Sequence, residues 1–281
     1  MRKILLLLFM TMFAGAATAA IKSEPVIYKD GDTTLEGFVS YDDAAAPKSQ
    51  PGILIIHQWT GLTDYEKGRA TELAKMGYVA FACDIYGQGV RPPAPDASGK
   101  EAGKYKNDRK LFRQRLNAGL EELKKQAAVD PTRLAAIGYC FGGTGAIELA
   151  RSGADIQGIV SFHGGLDSPT PADGKNINAK VLICHGADDP FNKREDVDAF
   201  QAEMRDNKVD WQMVYYGNAV HSFTEKGADG KQNPGAKYNK EADERSWKAM
   251  KVFFDEVLAK PIARKPSPAG GVVSYPGQGF N

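Results

Sequence analysis

The sequence predicts an α/β protein built on a mostly parallel sheet with helices on both faces, and three observations carry that prediction. Short apolar runs alternate with longer amphipathic stretches along most of the chain. Runs such as Gly52 to His57 (GILIIH) are continuously apolar, as a strand buried on both faces requires. The amphipathic stretches place apolar residues near helical spacing, as Leu111, Leu116, Leu120 and Leu123 do between Asp108 and Ala127.

Taken in order, Leu35 to Tyr41 alternates apolar and polar residues and reads as an early antiparallel strand. Gly52 to His57 and Tyr78 to Cys83 are strands separated by a helix from Asp64 to Met76, with Gly77 as its stop. Gly87 to Gly103 is polar and Pro-rich and reads as a surface loop near the site. After the Asp108 helix come a strand from Arg133 to Gly138 and a helix from Phe141 to Arg151. Strands at Ile156 to Phe162, Ala179 to Cys184 and Trp211 to Tyr216 follow, with a helix near Glu195 to Arg205 before the last of them. The final helix, Lys240 to Ala259, buries Trp247, Met250, Phe254 and Val257.

The two ends differ from this pattern. Arg2 and Lys3 precede an apolar run from Ile4 to Phe13 and then Ala17-Thr18-Ala19, the layout of a secretory signal peptide over residues 1–19. The run falls short of the roughly 20 residues a membrane span needs. Export to a periplasmic or extracellular location is therefore expected, with no stable membrane anchor after cleavage. Residues 20–260 read as one domain, and 261–281 as a flexible tail rich in Pro and Gly. The formal net charge of +1, with charges interspersed, gives no footprint for nucleic acid. A monomer or small homo-oligomer acting on a small-molecule substrate is expected.

Of the three cysteines, Cys83 and Cys184 lie in or at the ends of apolar runs and read as buried hydrophobes. Cys140 sits in Gly138-Tyr139-Cys140-Phe141-Gly142-Gly143, between a strand and a helix. This is the G-x-nucleophile-x-G turn, with sulfur where a hydroxyl is usual. A bend this sharp needs small flanking residues, and the following helix aims its free N–H groups and positive dipole end at the thiol, favouring a thiolate. In this chain order an acid and then a histidine must follow. Asp189 in His-Gly-Ala-Asp-Asp-Pro (185–190) is the candidate acid, with Asp188 a turn or capping residue. His221 in Ala-Val-His-Ser-Phe (219–223) is the candidate base.

The oxyanion-binding N–H groups are expected from Phe141 and from Trp59, in the loop His57-Gln58-Trp59-Thr60-Gly61-Leu62. Trp59 also suits an aromatic pocket wall. His57 and His185 are candidates for structural histidines; His163 is either structural or lines the pocket. No C-x-x-C or H-x-x-x-H spacing is present, so a metal is not expected.

With GYCFGG, HGADDP, AVHSF and HQWTGL in order, the chain resembles the dienelactone hydrolase family from about Gly52 to Leu258, and IIHQWTGLTDY and FACDIYGQG fit the same resemblance. The resemblance implies an α/β-hydrolase fold of about eight strands and a Cys140–Asp189–His221 triad. It also implies hydrolysis of a small ester or lactone without metal or cofactor. Two positions depart from it. Gln58 stands where the family carries a glutamate that contacts the resting cysteine, and Glu225 where it carries a substrate-binding arginine. Gln58, His163, Arg109 and Arg113 are the candidate pocket residues, the arginines as an anion site or as a solvated helix face. A thioesterase or broad carboxylesterase would use the same chemistry. A catalytically silent binding protein is the alternative of a different class, and a redox protein lacks a nearby resolving cysteine.

Overall fold

The structure is a computed structural model that describes residues 20–93 and 95–260; the expected signal peptide and tail lie outside the described residues. The chain opens with a hairpin of β1 (Ile21–Asp30) and β2 (Thr33–Asp42), which turns at Gly31 with φ of 57°. β3 (Gln50–Ile56), α1 (Asp64–Lys75) and β4 (Val79–Cys83) follow, then α2 (Pro95–Asn107) and α3 (Arg109–Lys124). β5 (Val129–Tyr139) leads into α4 (Phe141–Arg151) and β6 (Gly158–Phe162). The remainder comprises β7 (Lys180–Gly186), α5 (Arg194–Asp206), β8 (Trp211–Tyr216) and α6 (Lys240–Val257).

The eight strands form one sheet in the order β1-β2-β4-β3-β5-β6-β7-β8. β1, β2 and β4 pair antiparallel and every other pairing is parallel. Alternate residues of the central strands enter opposite cores. Leu54, Ile56, Leu134 and Ala136 pack under α2 to α5, while Ile53, Ile55, Ala135 and Ile137 pack under α1 and α6. Covering both faces is what makes these strands continuously apolar in sequence. β3 lies between β4 and β5, so successive connections leave it in opposite directions and a crevice opens at the strands' carboxyl ends.

One strand, one α-helix and the short 3-10 helix Pro171–Asn176 have no counterpart in the sequence reading. β1 is a mostly solvated edge strand carrying Lys22, Glu24, Lys29 and Asp30, so its apolar alternation is faint. The segment read as a loop from Gly87 to Gly103 becomes helix α2 from Pro95 onward. Proline at the first helical position supplies a preset φ, and buried Ser98, Ala102 and Tyr105 anchor a helix that two glycines would weaken in isolation.

The helices over one face are joined by buried charge. Arg151 of α4 is fully buried and donates to Glu148 (2.9 Å) and, through two nitrogens, to Glu203 of α5 (2.9 and 2.5 Å). Arg113 of α3 reaches Glu148 (2.8 Å) and Asp173 (2.7 Å), and Arg109 reaches Asp167 (2.6 Å). Removing the central guanidinium strands two carboxylates in a dry interior. Arg151→Met is therefore expected to cost about 3–5 kcal/mol in urea denaturation. Adding Glu203→Leu to that variant should recover part of the loss, and a cost below about 1 kcal/mol would show that water reaches the network.

Candidate active site

At the carboxyl end of β5 the chain reverses into α4 through Cys140, whose φ of 55° and ψ of −117° lie in a region side chains rarely adopt. Glycine makes this turn possible on both sides. A Cβ at Gly138 would lie 1.8 Å from the Gly142 carbonyl oxygen, and one at Gly142 would lie 2.1 Å from that of Ile56. The turn is tied down from beneath, since the Cys140 N–H donates to Phe162 O (3.0 Å) and to His163 Nδ1 (3.2 Å).

Loops after β7 and β8 bring two side chains to the sulfur. His221 Nε2 stands 3.0 Å from Cys140 Sγ, and His221 Nδ1 stands 2.9 Å from Asp189 Oδ2. Asp189 is buried and accepts from the Phe191 N–H (2.9 Å) and the Asn192 amide (3.2 Å), which fixes its carboxylate. Asp188 is exposed, and its N–H ties the loop after β7 to Ala219 O in the loop after β8. His221 is held by its own backbone, donating to Gly235 O and accepting from the Lys237 N–H. Burial works against its charge, but the facing sulfur and the Asp189 carboxylate outweigh burial and push the imidazole up to about 10. Cys83 and Cys184 are fully buried, and burial pushes the Cys184 thiol up to about 12.

Trp59 and Phe141 flank the same sulfur. Phe141 opens α4, so its N–H has no acceptor within the helix, and among the described hydrogen bonds neither it nor the Trp59 N–H is used. The Trp59 loop is rigidly built. Its carbonyl accepts from Tyr86 Oη (3.0 Å). Fully buried His57 donates from Nδ1 to Gln58 O (2.6 Å) and accepts the Ile85 N–H on Nε2 (3.2 Å). Burial holds His57 neutral, lowered to about 4. Buried Glu66 accepts from the Gln58 N–H (3.1 Å) and from both the N–H and hydroxyl of Thr63 (2.8 Å each). Glu66 is absent from the sequence reading, although Thr63-x-x-Glu66 is the capping-box signature and could have identified it.

Four expectations for the pocket change. Arg109 and Arg113 are neither an anion site in the cleft nor a solvated face, because their guanidinium groups are spent on Glu148, Asp167 and Asp173. Arg109 borders a separate, adjoining cavity. His163 does not line the cleft but lies beneath the turn, accepting from Cys140 and donating from Nε2 to Thr224 Oγ1 (2.9 Å); burial keeps it uncharged. Gln58 is buried in its loop and lies outside the cavity lining. The cavity, about 380 Å³, is bordered instead by Trp59, Lys106, Phe191 and the small residues Gly99, Ala102 and Gly103 of α2. Phe191 and Lys106 carried no sequence signal, since each acquires its place only when distant segments meet.

Glu66→Gln keeps one acceptor oxygen where the carboxylate offers two, leaving a buried loop N–H or hydroxyl unpaired. It is expected to cost about 1–3 kcal/mol in chemical denaturation, and a neutral outcome would assign the loop's rigidity to His57 and Tyr86 instead.

Residues 37–258 match the model of the Dienelactone hydrolase family. A solved chain named m3DLH is 41% identical and superposes with a TM-score of 0.82, the match covering 85% of this chain and 100% of that one. A dienelactone hydrolase-like promiscuous phosphotriesterase from metagenomic libraries is 39% identical with a TM-score of 0.81, over 85% of this chain and 100% of its own. A probable 2-oxo-3-(5-oxofuran-2-ylidene)propanoate lactonase from a Bradyrhizobium species is 29% identical over 62% of this chain and 74% of its own. The family match spans most of the sequence and both solved neighbours superpose over 85% of it, so the chain belongs to the dienelactone hydrolase family of ester and lactone hydrolases.

Proposed function

We propose that the chain hydrolyses small esters or lactones through an acyl-cysteine intermediate, with Cys140 as nucleophile, His221 as proton carrier and Asp189 as its orienting acid. The observation that carries this reading is the pair of contacts on one imidazole, 3.0 Å to the sulfur and 2.9 Å to the carboxylate. Asp189 fixes the Nδ1–H tautomer and supports the imidazolium. The Cys140 thiolate attacks the carbonyl carbon, and its oxygen takes up negative charge against the Phe141 and Trp59 N–H groups. As the tetrahedral species collapses, the C–O bond breaks and His221 Nε2 gives its proton to the departing alkoxide. Neutral His221 then takes a proton from water, hydroxide attacks the thioester, and the thiolate leaves with the acid as product.

The cleft is small and needs no metal for this sequence of steps, and the same nucleophile could attack other acyl centres. Phosphotriesters are a second substrate class supported by the 39% identical phosphotriesterase relative, since a thiolate beside two N–H donors also suits attack at phosphorus. Cys140→Ala and His221→Ala are each expected to lower hydrolysis of p-nitrophenyl acetate by roughly a thousandfold. Survival of full activity in both variants would replace this reading with a binding protein.

The pH dependence has a definite sign. His221 is raised to about 10 from an ordinary value near 6.5, so its proton is present at neutral pH and lost as pH rises through about 10. The stabilisation from the charged pair is complete below about 6.5 and disappears across the same rise. Accordingly kcat/KM for ethyl acetate, whose alkoxide must be protonated, should fall as pH passes about 10. For p-nitrophenyl acetate, whose phenolate leaves without a proton, that fall should be absent. A common rise near pH 6.5 for both esters would instead indicate an unpaired histidine base.

We also propose that the chain is exported and processed after Ala19, on the strength of Arg2-Lys3, the short apolar run and Ala17-Thr18-Ala19. β1 starts at Ile21, so cleavage there spares the sheet. Intact-mass measurement of the exported protein should give a chain beginning at Ala20, and one still beginning at Met1 would refute processing.

A further inference from the structure

Resting on the hydrolase reading above, we propose that this site selects uncharged esters bearing an aromatic or similarly bulky apolar group, which packs between Trp59 and Phe191 against α2. Carboxylate-bearing esters and lactones are disfavoured.

The shape of the cavity argues for a ring. Large aromatic side chains are mostly withdrawn from solvent in this fold, yet Trp59 is 38% exposed and Phe191 53% exposed, and both border the space beside Cys140. Phe191 stands edge-on to the His221 imidazole, with centroids 5.2 Å apart and planes at 88°, so its own position is fixed by the base. Between these two walls α2 presents Gly99, Ala102 and Gly103, one helical face without bulk. A Cβ at Gly99 would meet only the Trp59 ring at 3.9 Å, and one at Gly103 only the Asn107 amide at 4.0 Å. The glycines are therefore not forced by close packing, and the room they leave opens on the cleft. An apolar ring seated there would cover exposed aromatic surface, which is where binding energy in such pockets arises.

The charges argue against a carboxylate. Among the described residues, Lys106 is the one lysine or arginine bordering the cavity, and it faces Asp167 at 3.6 Å. Behind it, Arg109, Arg113 and Arg151 are matched by Asp167, Glu148, Asp173 and Glu203, four cations to four carboxylates when Lys106 is included. Asp196 also borders the cavity. A thiolate, an imidazolium and Asp189 together carry one further negative charge. A substrate anion would enter a cleft whose cations are already balanced and whose reacting centre is net negative.

Two phenol-releasing substrates that share a ring and a scissile acetate test this: methyl 4-acetoxybenzoate and the 4-acetoxybenzoate anion. The wild-type chain is expected to favour the neutral ester in kcat/KM by roughly tenfold or more. Equal rates, or a preference for the anion, would overturn the charge argument. Gly103→Leu should lower kcat/KM for methyl 4-acetoxybenzoate roughly tenfold relative to ethyl acetate, because the added side chain occupies the ring's place. Parallel changes for both esters would overturn the aromatic seat, and Gly103→Ala supplies the same comparison at smaller amplitude if the leucine variant fails to fold. Phenol release persisting in Cys140→Ala would instead defeat the underlying nucleophile assignment, a result separable from either selectivity outcome.

Discussion

At Cys140 the backbone turns from β5 into α4 within a single residue, and the rest of the site follows from how tightly that turn closes. Gly138 approaches the Gly142 carbonyl, and Gly142 approaches that of Ile56, at distances that leave no space for a side chain. The closure lifts the sulfur to the apex of the bend, directly ahead of the first N–H groups of α4. It also aligns β5 with β3, so that the loop bearing Trp59 stands beside the loop bearing the sulfur. Strain at φ of 55° is tolerated because His163 and Phe162 hold the Cys140 amide from below, and because the sheet on either side is fully buried.

A second constraint concerns which charges are free to act. The chain is nearly neutral, but its ionic groups are not interchangeable. Glu148, Arg151 and Glu203 are sealed between helices and fix how α3, α4 and α5 stack behind the turn. His57, His163 and Glu66 are equally buried but work on the backbone, accepting or donating where loops would otherwise leave polar groups unpaired. Of the four histidines, His221 is the one whose charged form the surroundings favour, because it faces a carboxylate on one nitrogen and sulfur on the other. His57 and His163 are held uncharged chiefly by burial, with Arg91 adding to it at the first and His221 and Arg69 at the second.

Much of this is legible in the sequence. Strands buried on both faces announce themselves as unbroken apolar runs; Cys140 and Asp189 sit on short turns after two of them, β5 and β7, while His221 follows the half-exposed edge strand β8. Cys140, Asp189 and His221 therefore emerge from local pattern and chain order together. The failures have equally physical causes. β1 is an edge strand with a solvated face, so its sequence lacks the apolar density that marks its neighbours. α2 is interrupted by two glycines and has few large apolar residues to mark a helical face, and it is anchored because Tyr105 and Ala102 find a core to enter. Arg109 and Arg113 looked available because their partners, Asp167 and Asp173, come from a segment more than fifty residues away that no local pattern connects to α3.

These successes and failures fall on opposite sides of one division. Cys140, Asp189 and His221 sit within a few residues of the carboxyl ends of the parallel strands β5, β7 and β8, whose register fixes where each loop begins, so sequence and position are tightly linked. Residues that shape the cavity come from α2 and from the turn after Asp189, elements tied to the sheet mainly through side chains rather than strand pairing. Such elements can change composition without disturbing the turn at Cys140. Gly99, Gly103, Phe191 and Lys106 are thus placed where selectivity can vary at little cost to the fold, while Gly138 and Gly142 are placed where almost nothing can. A family resemblance read from the strand-end motifs accordingly speaks to the bond-breaking apparatus, and the identity of the molecule being broken must be read from α2 and the loops that face it.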